Sequence, residues 1–229
     1  MERLYRLQIG HEIVHVVERA GEVRRAVLAS PADSWSGGWA EGEVVAGGLG
    51  AGRVLAPVRP SKIVCVGLNY KDHAKEQGKP LPPEPLIFIK PRTCLIGPGD
   101  PIRLPPGVGR CDYESELAVV IGRRAHRVPA EQAWDYVLGY TSMNDVTARA
   151  IQKQEGQYTR AKGFDTFAPL GPAIVTGWRG EPRGVEGLVN GERRQHSTTE
   201  QLIFPIEQLI AFITFIMTLE PGDIISTGT

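Results

Sequence analysis

The chain is short of several things, and each shortage narrows what it can be. Its 229 residues include three cysteines, Cys65, Cys94 and Cys111, an odd number with no Cys-x-x-Cys spacing. That argues against a disulfide framework and a cysteine-based zinc site, and for reduced thiols in a cytoplasmic setting. Net charge is absent too: 26 basic residues balance 26 acidic ones. No overall field then draws nucleic acid or an anionic membrane, so neither is an expected partner. The opening residues, Met1 to Gly10, are charged throughout and lack the apolar core of a secretory signal. The longest apolar stretch, Leu202 to Leu219, is interrupted by Pro205 and Glu207. It is too short and too polar at one end to span a bilayer, and reads as a buried helix. No internal repeat or low-complexity tract is found.

What is there suits a soluble α+β protein, mainly β, with a few helices. A hydrophobic fraction of 41% is enough for a packed core, and the length fits one large domain or one domain with a small appendage. Residues 1–58 read as a small N-terminal β domain. Leu4–Ile9, Glu12–Glu18 and Val23–Leu28 are short β-branched segments punctuated by Gly10 and Gly21. The glycine- and alanine-rich run from Gly37 to Gly52 reads as a linker or a loop region. Residues 59–229 then carry the chemistry. Strands are expected at Lys62–Val66, Leu86–Lys90, Tyr113–Ile121, Leu138–Ser142 and Pro169–Thr176, with a last one opening after Pro221. Helices are expected at Lys71–Gln77, Glu131–Val137, Val146–Gln154 and Phe204–Leu219. Lys162 falls in a loop, and Asn190-Gly191 favours a tight hairpin turn.

Strand alternation places Glu114 and Glu116 of Asp112-Tyr-Glu114-Ser-Glu116 on one side. Two carboxylates about 7 Å apart repel unless water or a cation screens them. Taken alone, a solvated strand face is the commoner explanation, but the strand continues into Leu-Ala-Val-Val-Ile, which looks buried on both faces. Asp145 ends a neighbouring apolar strand, where helix capping is the plainer role. Three carboxylates without a Cys or His pattern select a hard cation, Mg²⁺, Mn²⁺ or Ca²⁺, over zinc. Arg149 and Gln152 share a helix face at i, i+3 and could hold a substrate carboxylate. His73 and Glu76 share the same spacing, and a carboxylate raises imidazole basicity and fixes its tautomer. Lys162 could stabilise a nearby enolate. Each of these has an ordinary surface explanation; their order along the chain does not.

Gly67-Leu-Asn-Tyr70-Lys-Asp-His73-Ala-Lys-Glu76, Phe88-Ile-Lys90-Pro, Asp112-Tyr-Glu114-Ser-Glu116, Asn144-Asp145-Val-Thr-Ala-Arg149-Ala-Ile-Gln152 and Lys162-Gly-Phe-Asp165-Thr166-Phe-Ala-Pro-Leu-Gly-Pro172 occur in succession. Together they resemble the short-chain branch of the fumarylacetoacetate hydrolase family. The resemblance covers roughly residues 60 to 229. It implies a mixed β-roll, a homodimer, and Mg²⁺ or Mn²⁺ held by Glu114, Glu116 and Asp145. It implies His73, Glu76 and Lys162 as catalytic residues, the first two on a lid. Tyr70, Lys90, Arg149, Gln152 and Thr166 are implied substrate contacts. It also implies that a tail following Ser226-Thr-Gly-Thr229 is missing. The expected activity is that of a 2-hydroxyhepta-2,4-diene-1,7-dioate isomerase/decarboxylase of aromatic-compound catabolism, passing through an enolate. Acylpyruvate hydrolase and oxaloacetate decarboxylase stand as alternatives, and a non-catalytic module that binds a metal and a 2-oxo acid as one from another class.

Overall fold

Glycine punctuation sets up a meander at the N-terminus of the computed structural model, which describes residues 1–29, 35 and 37–229. Strands β1 (Arg3–Ile9), β2 (Glu12–Arg19) and β3 (Glu22–Leu28) turn at Gly10 (φ +59) and Gly21 (φ +85). Such left-handed backbone favours glycine. β4 (Trp39–Val44) then pairs antiparallel with β3. The linker-or-loop reading of residues 37–52 is thereby corrected over Trp39–Val44. Small residues have low strand propensity, but Gly42 lets the backbone lie close to Arg25, where a Cβ would sit 3.3 Å from the Arg25 Cβ. β5 (Arg53–Leu55) pairs with β1.

The remaining strands are β6 (Ile63–Val66), β7 (Ile87–Lys90), β8 (Leu95–Ile96), β9 (Cys111–Asp112), β10 (Ser115–Ile121), β11 (Val137–Asn144) and β12 (Thr147–Ala148). They continue with β13 (Ala168–Val175), β14 (Gly184–Val189), β15 (Glu192–Thr198) and β16 (Ile224–Ser226). The helices are α1 (Lys71–Glu76), α2 (Arg149–Glu155), α3 (Thr159–Lys162) and α4 (Ile206–Ile216). One large sheet runs β4-β3-β2-β1-β13-β11-β10-β16-β6-β7. It is mixed, because β16 lies parallel to β6 while β10 pairs antiparallel with both β11 and β16. The protein is therefore α+β and mainly β.

Several boundaries shift. The stretch expected as a helix at Glu131–Val137 is a 3-10 segment over Ala130–Tyr136, and Val137 already belongs to β11. Thr147 and Ala148 pair with β9 before α2 starts, so helix capping is not the role of Asp145. Lys162, expected in a loop, closes α3. α4 begins after Pro205, which fits a residue that lacks a backbone donor. It buries Ile206, Leu209, Ile210, Ile213 and Thr214, the single stripe of a helix on a core.

Strand alternation sorts the centre of the sheet into two cores. Ile63, Cys65, Ala118, Val120 and Ile224 enter one cluster with Phe167 and Val146. Val64, Val66, Val119, Ile121 and Ile225 enter the other, under α4. The N-terminal meander joins the sheet where Arg3 and Leu4 pair with Val175 and Ile174. Leu4 and Val17 belong to the first core, whereas Tyr5, Leu7, Val14 and Val16 pack with Ala173 in a third. Among the described residues, no helix is long and apolar enough to cross a membrane.

Candidate metal centre and active site

Glu114 and Glu116 have the parity of Ala118 and Val120, so they extend the first core beyond its apolar end. Asp145 arrives beside them from β11. The register Ser115↔Asn144 brings its backbone N–H to the Glu114 carbonyl at 2.8 Å, and Asn144 Oδ1 accepts the Glu114 N–H at 2.9 Å. One carboxylate oxygen from each of the three residues lies within 4.8 Å of the others. All are withdrawn from water, with exposures of 8% for Glu114, 2% for Glu116 and 0% for Asp145.

Burying three carboxylates is costly unless positive charge or donors meet them. Lys162 Nζ donates to Glu114 Oε2 at 2.7 Å and also to Asp145. Lys90 Nζ, fully buried, donates to Asp145 Oδ1 at 2.6 Å and to the Val146 carbonyl at 3.3 Å. Arg149 binds Glu114, and its Nε donates to Asp112 Oδ2 at 2.8 Å. Burial works against the Lys162 ammonium, but Asp145, Glu114 and Glu116 outweigh it and hold it charged. For Asp112, Arg110 and Arg149 outweigh burial and lower its titration.

Glu116 differs from its neighbours. Neutral donors meet it, Ser226 Oγ at 2.5 Å and Gly228 N at 3.0 Å, both on Oε2. Burial, together with the charges of Asp145 and Glu114, pushes its carboxyl up to about 8 against the pull of Lys162. A buried all-oxygen cluster in which one carboxylate is short of positive charge fits a hard divalent cation.

A cavity of about 290 Å³ opens onto this cluster, lined by Glu114 and Glu116 together with His73, Gln152, Tyr158 and Thr229. Arg149 also lines it, its Nη1 donating to Gln152 Oε1 at 2.5 Å. Phe88 and Tyr158 flank the Lys162 ammonium, with ring centroids 4.9 and 6.0 Å from Nζ. A second chamber of about 540 Å³ shares His73, Glu114, Arg149 and Thr229 with the first. His73 Nδ1 lies 3.0 Å from Glu76 Oε2, and its Nε2 lies 2.6 Å from Gln77 Nε2. A neutral ring that donates from Nδ1 and accepts at Nε2 satisfies both contacts.

The expected residues thus separate into groups. Glu114, Glu116, Asp145 and Lys162 converge, and Arg149, Gln152 and His73 line the adjoining cavity. Lys90 stands behind Asp145. Tyr70 is buried against the second core, and burial pushes its phenol up to about 12. Thr166 lines a separate cavity with Arg103, whose backbone N–H donates to its hydroxyl at 2.8 Å. Thr229, Tyr158 and Ser226 were not foreseen from the sequence as site residues. None of the three had a signal in the sequence, since the helix that sets Tyr158 beside Lys162 is too short to leave a periodicity.

The family model described as fumarylacetoacetate (FAA) hydrolase C-terminal matches residues 62–229, the span that supplies every one of these groups. The chain belongs to the fumarylacetoacetate hydrolase family. It is accordingly an enzyme, as relatives in the family are. Over its full length it resembles the crystal structure of a 2-hydroxyhepta-2,4-diene-1,7-dioate isomerase from Mycobacterium marinum, with TM-score 0.88 and 39% identity, covering 100% of this chain and 87% of that one. A 5-carboxymethyl-2-hydroxymuconate delta-isomerase from Mycobacterium smegmatis gives TM-score 0.86 and 41% identity, covering 99% and 87%. In sequence, the mitochondrial oxaloacetate tautomerase fahd2 of Xenopus laevis is 46% identical over 182 residues, 77% of this chain and 57% of that protein. For this family member, the buried triad is a site that can hold a divalent metal.

Proposed function

We propose that the protein is a divalent-metal-dependent isomerase acting through an enolate on a small 2-oxo or 2-hydroxydienoic diacid. The first-ranked substrate is of the 2-hydroxyhepta-2,4-diene-1,7-dioate type, with decarboxylation of a related oxo-diacid as an allied activity in aromatic-compound breakdown. The observation that carries this is the convergence of three buried carboxylates and Lys162 beside a cavity that Glu114, Glu116, Lys162 and His73 line. Structures bearing the two isomerase names match essentially the whole chain.

Glu114, Glu116 and Asp145 would hold Mg²⁺ or Mn²⁺, which when bound supplies Lewis-acid polarisation of the 2-oxo group. Lys162, kept charged by its carboxylate neighbours, would offset the negative charge that develops on an enolate oxygen. Arg149 is committed to Asp112, Glu114 and Gln152. Taking a substrate carboxylate means exchanging the Gln152 contact for a charge-assisted one. His73, oriented by Glu76, would carry the proton between carbons, or direct water in a hydrolytic reaction. Gln77 occupies its Nε2 and must give way for the ring to act as a base.

Residues 1–58 would serve as a separate unit that buttresses β13 and contributes no catalytic group. Cytoplasmic location and homodimeric assembly complete the proposal; size-exclusion chromatography with light scattering tests the latter. A specific observation favours a second substrate, oxaloacetate, because the named tautomerase is 46% identical to this chain. Keto–enol exchange and double-bond migration both pass through an enolate, so one site can serve either. An ultraviolet assay with Mg²⁺ or Mn²⁺ over a 2-hydroxydienedioate, oxaloacetate and acylpyruvates, with an EDTA control, decides between them. Metal-dependent isomerisation of the dienedioate supports the proposal. Turnover of oxaloacetate enol alone moves the assignment to the tautomerase, and turnover that survives EDTA removes the metal.

A further inference from the structure

The backbone of Ser115, between two of the three metal-site carboxylates, is satisfied by a side chain from a distant hairpin. On one edge of β10, Glu114 is tied to β11 through Asn144 Oδ1 and the Asp145 N–H. Ser115 turns its own N–H and carbonyl to the other edge, because neighbouring strand residues point their backbone groups in opposite directions. There the ladder to β16 covers Ala118–Val120 and stops short of Ser115. Buried backbone groups must find partners. Gln195 of β15 supplies both: Oε1 accepts the Ser115 N–H at 2.9 Å, and Nε2 donates to the Ser115 carbonyl at 2.6 Å. Its second amide proton goes to Thr229 Oγ1, on the wall shared by the two chambers.

The side-chain amide thus replaces a missing strand, and the hairpin is shaped to bring it there. The Asn190-Gly191 turn, with φ +53 and +80, closes β14 onto β15. At Gly187 an added Cβ would lie 2.8 Å from Ser115 Oγ and 3.1 Å from the Gln195 Cβ. A larger residue would push the hairpin off β10.

We infer that Gln195 is a positioning residue of the metal centre, setting the Glu114–Ser115–Glu116 segment and Thr229 through hydrogen bonds. It rests on the cation reading above. A residue that orients a ligand-bearing segment changes metal affinity by about 10–100-fold when removed. The full chain is titrated with Mn²⁺ by calorimetry, as wild type and as Gln195→Leu, Gln195→Glu and Glu186→Ala, with circular dichroism on the same samples. Gln195→Glu keeps the length and the Ser115 N–H bond but loses both donations, and it decides the matter if the leucine variant does not fold. Glu186 pairs with Arg193 on the same hairpin and controls for hairpin integrity.

The expected result is Mn²⁺ affinity weaker by about 10-fold or more in both Gln195 variants and unchanged in Glu186→Ala. Affinity within twofold of wild type in a folded Gln195 variant overturns the role, whatever its melting temperature. An equal loss in Glu186→Ala also overturns it, by making the hairpin as a whole responsible. A wild-type chain that takes up no Mn²⁺ fails at the cation reading itself and removes this role with it.

Discussion

Replacing Glu116 with glutamine is expected to make the metal-free protein more stable while removing its response to metal. Coulomb's law at an effective dielectric near 20 gives about 3 kcal/mol of repulsion for two carboxylates roughly 5 Å apart. Glu116 has two such neighbours, Glu114 and Asp145, and only part of the repulsion is returned by Lys162. Burial first, and this imbalance with it, raises its carboxyl from 4.5 to about 8. A raised folded-state value means that the group's stabilising contribution is complete below pH 4.5 and is lost as the pH rises through about 8. Each pH unit in that window costs about 1.4 kcal/mol, so on the order of 3 kcal/mol is at stake at pH 7. Glutamine keeps the shape and an oxygen for Ser226 and Gly228, and it does not ionise. For a chain of this size each kcal/mol moves the melting temperature by about 2–4 °C, so Glu116→Gln in EDTA should melt roughly 5–10 °C above wild type at pH 7. The gain should vanish toward pH 4.5. Adding Mn²⁺ should raise the wild-type melting temperature and leave the variant's unchanged, since ligand binding stabilises the folded state alone. Differential scanning calorimetry across pH, with and without Mn²⁺, reads all three effects. A variant no more stable than wild type at pH 7, or a gain independent of pH, would refute the electrostatic account.

Three further outcomes are expected. His73→Ala should leave Mn²⁺ affinity at the wild-type level and lower kcat by a factor of about 10²–10⁴; an unchanged kcat would reduce His73 and Glu76 to a surface pair. Asp223→Ala should cost about 3–5 kcal/mol in urea unfolding, because it removes a buried carboxylate that accepts the half-buried N–H groups of Ser61, Lys62 and Glu220. A loss under about 1 kcal/mol would mean that water replaces them. Gly139→Ala should destabilise by about 1–3 kcal/mol through overpacking, since its Cβ would fall 2.5 Å from the Val175 carbonyl oxygen and 2.7 Å from Ile174 Cγ2. Wild-type stability in that variant would show that β11 and β13 can part without penalty.

Much of this protein was legible one segment at a time. The run Lys71–Glu76 forms the short helix read there, and the Asn190-Gly191 pair makes the hairpin turn its φ preferences require. Glu114 and Glu116 share a face because strand geometry has a period of two, and the apolar run after them is buried as its composition implies. Where local signals compete, segment reading failed. The Gly- and Ala-rich stretch hid β4, whose formation depends on pairing with β3 and not on propensity. Lys162 sat in apparent loop because a helix as short as α3 leaves no periodicity to detect.

By itself, then, the sequence determined the residue types of the site, the hard-cation character of an all-carboxylate cluster, and the alternation that turns two glutamates the same way. Tertiary structure alone decided which groups meet. Lys90 reaches Asp145 across 55 residues, Gln195 reaches Ser115 across 80, and Ser226 reaches Glu116 across 110. It also left Tyr70 in the second core and Thr166 beside another cavity. Periodicity is a property of neighbours along the chain and fixes where a side chain points. Convergence depends on strand order and register, which arise when distant segments bury their apolar faces together and satisfy one another's backbone groups.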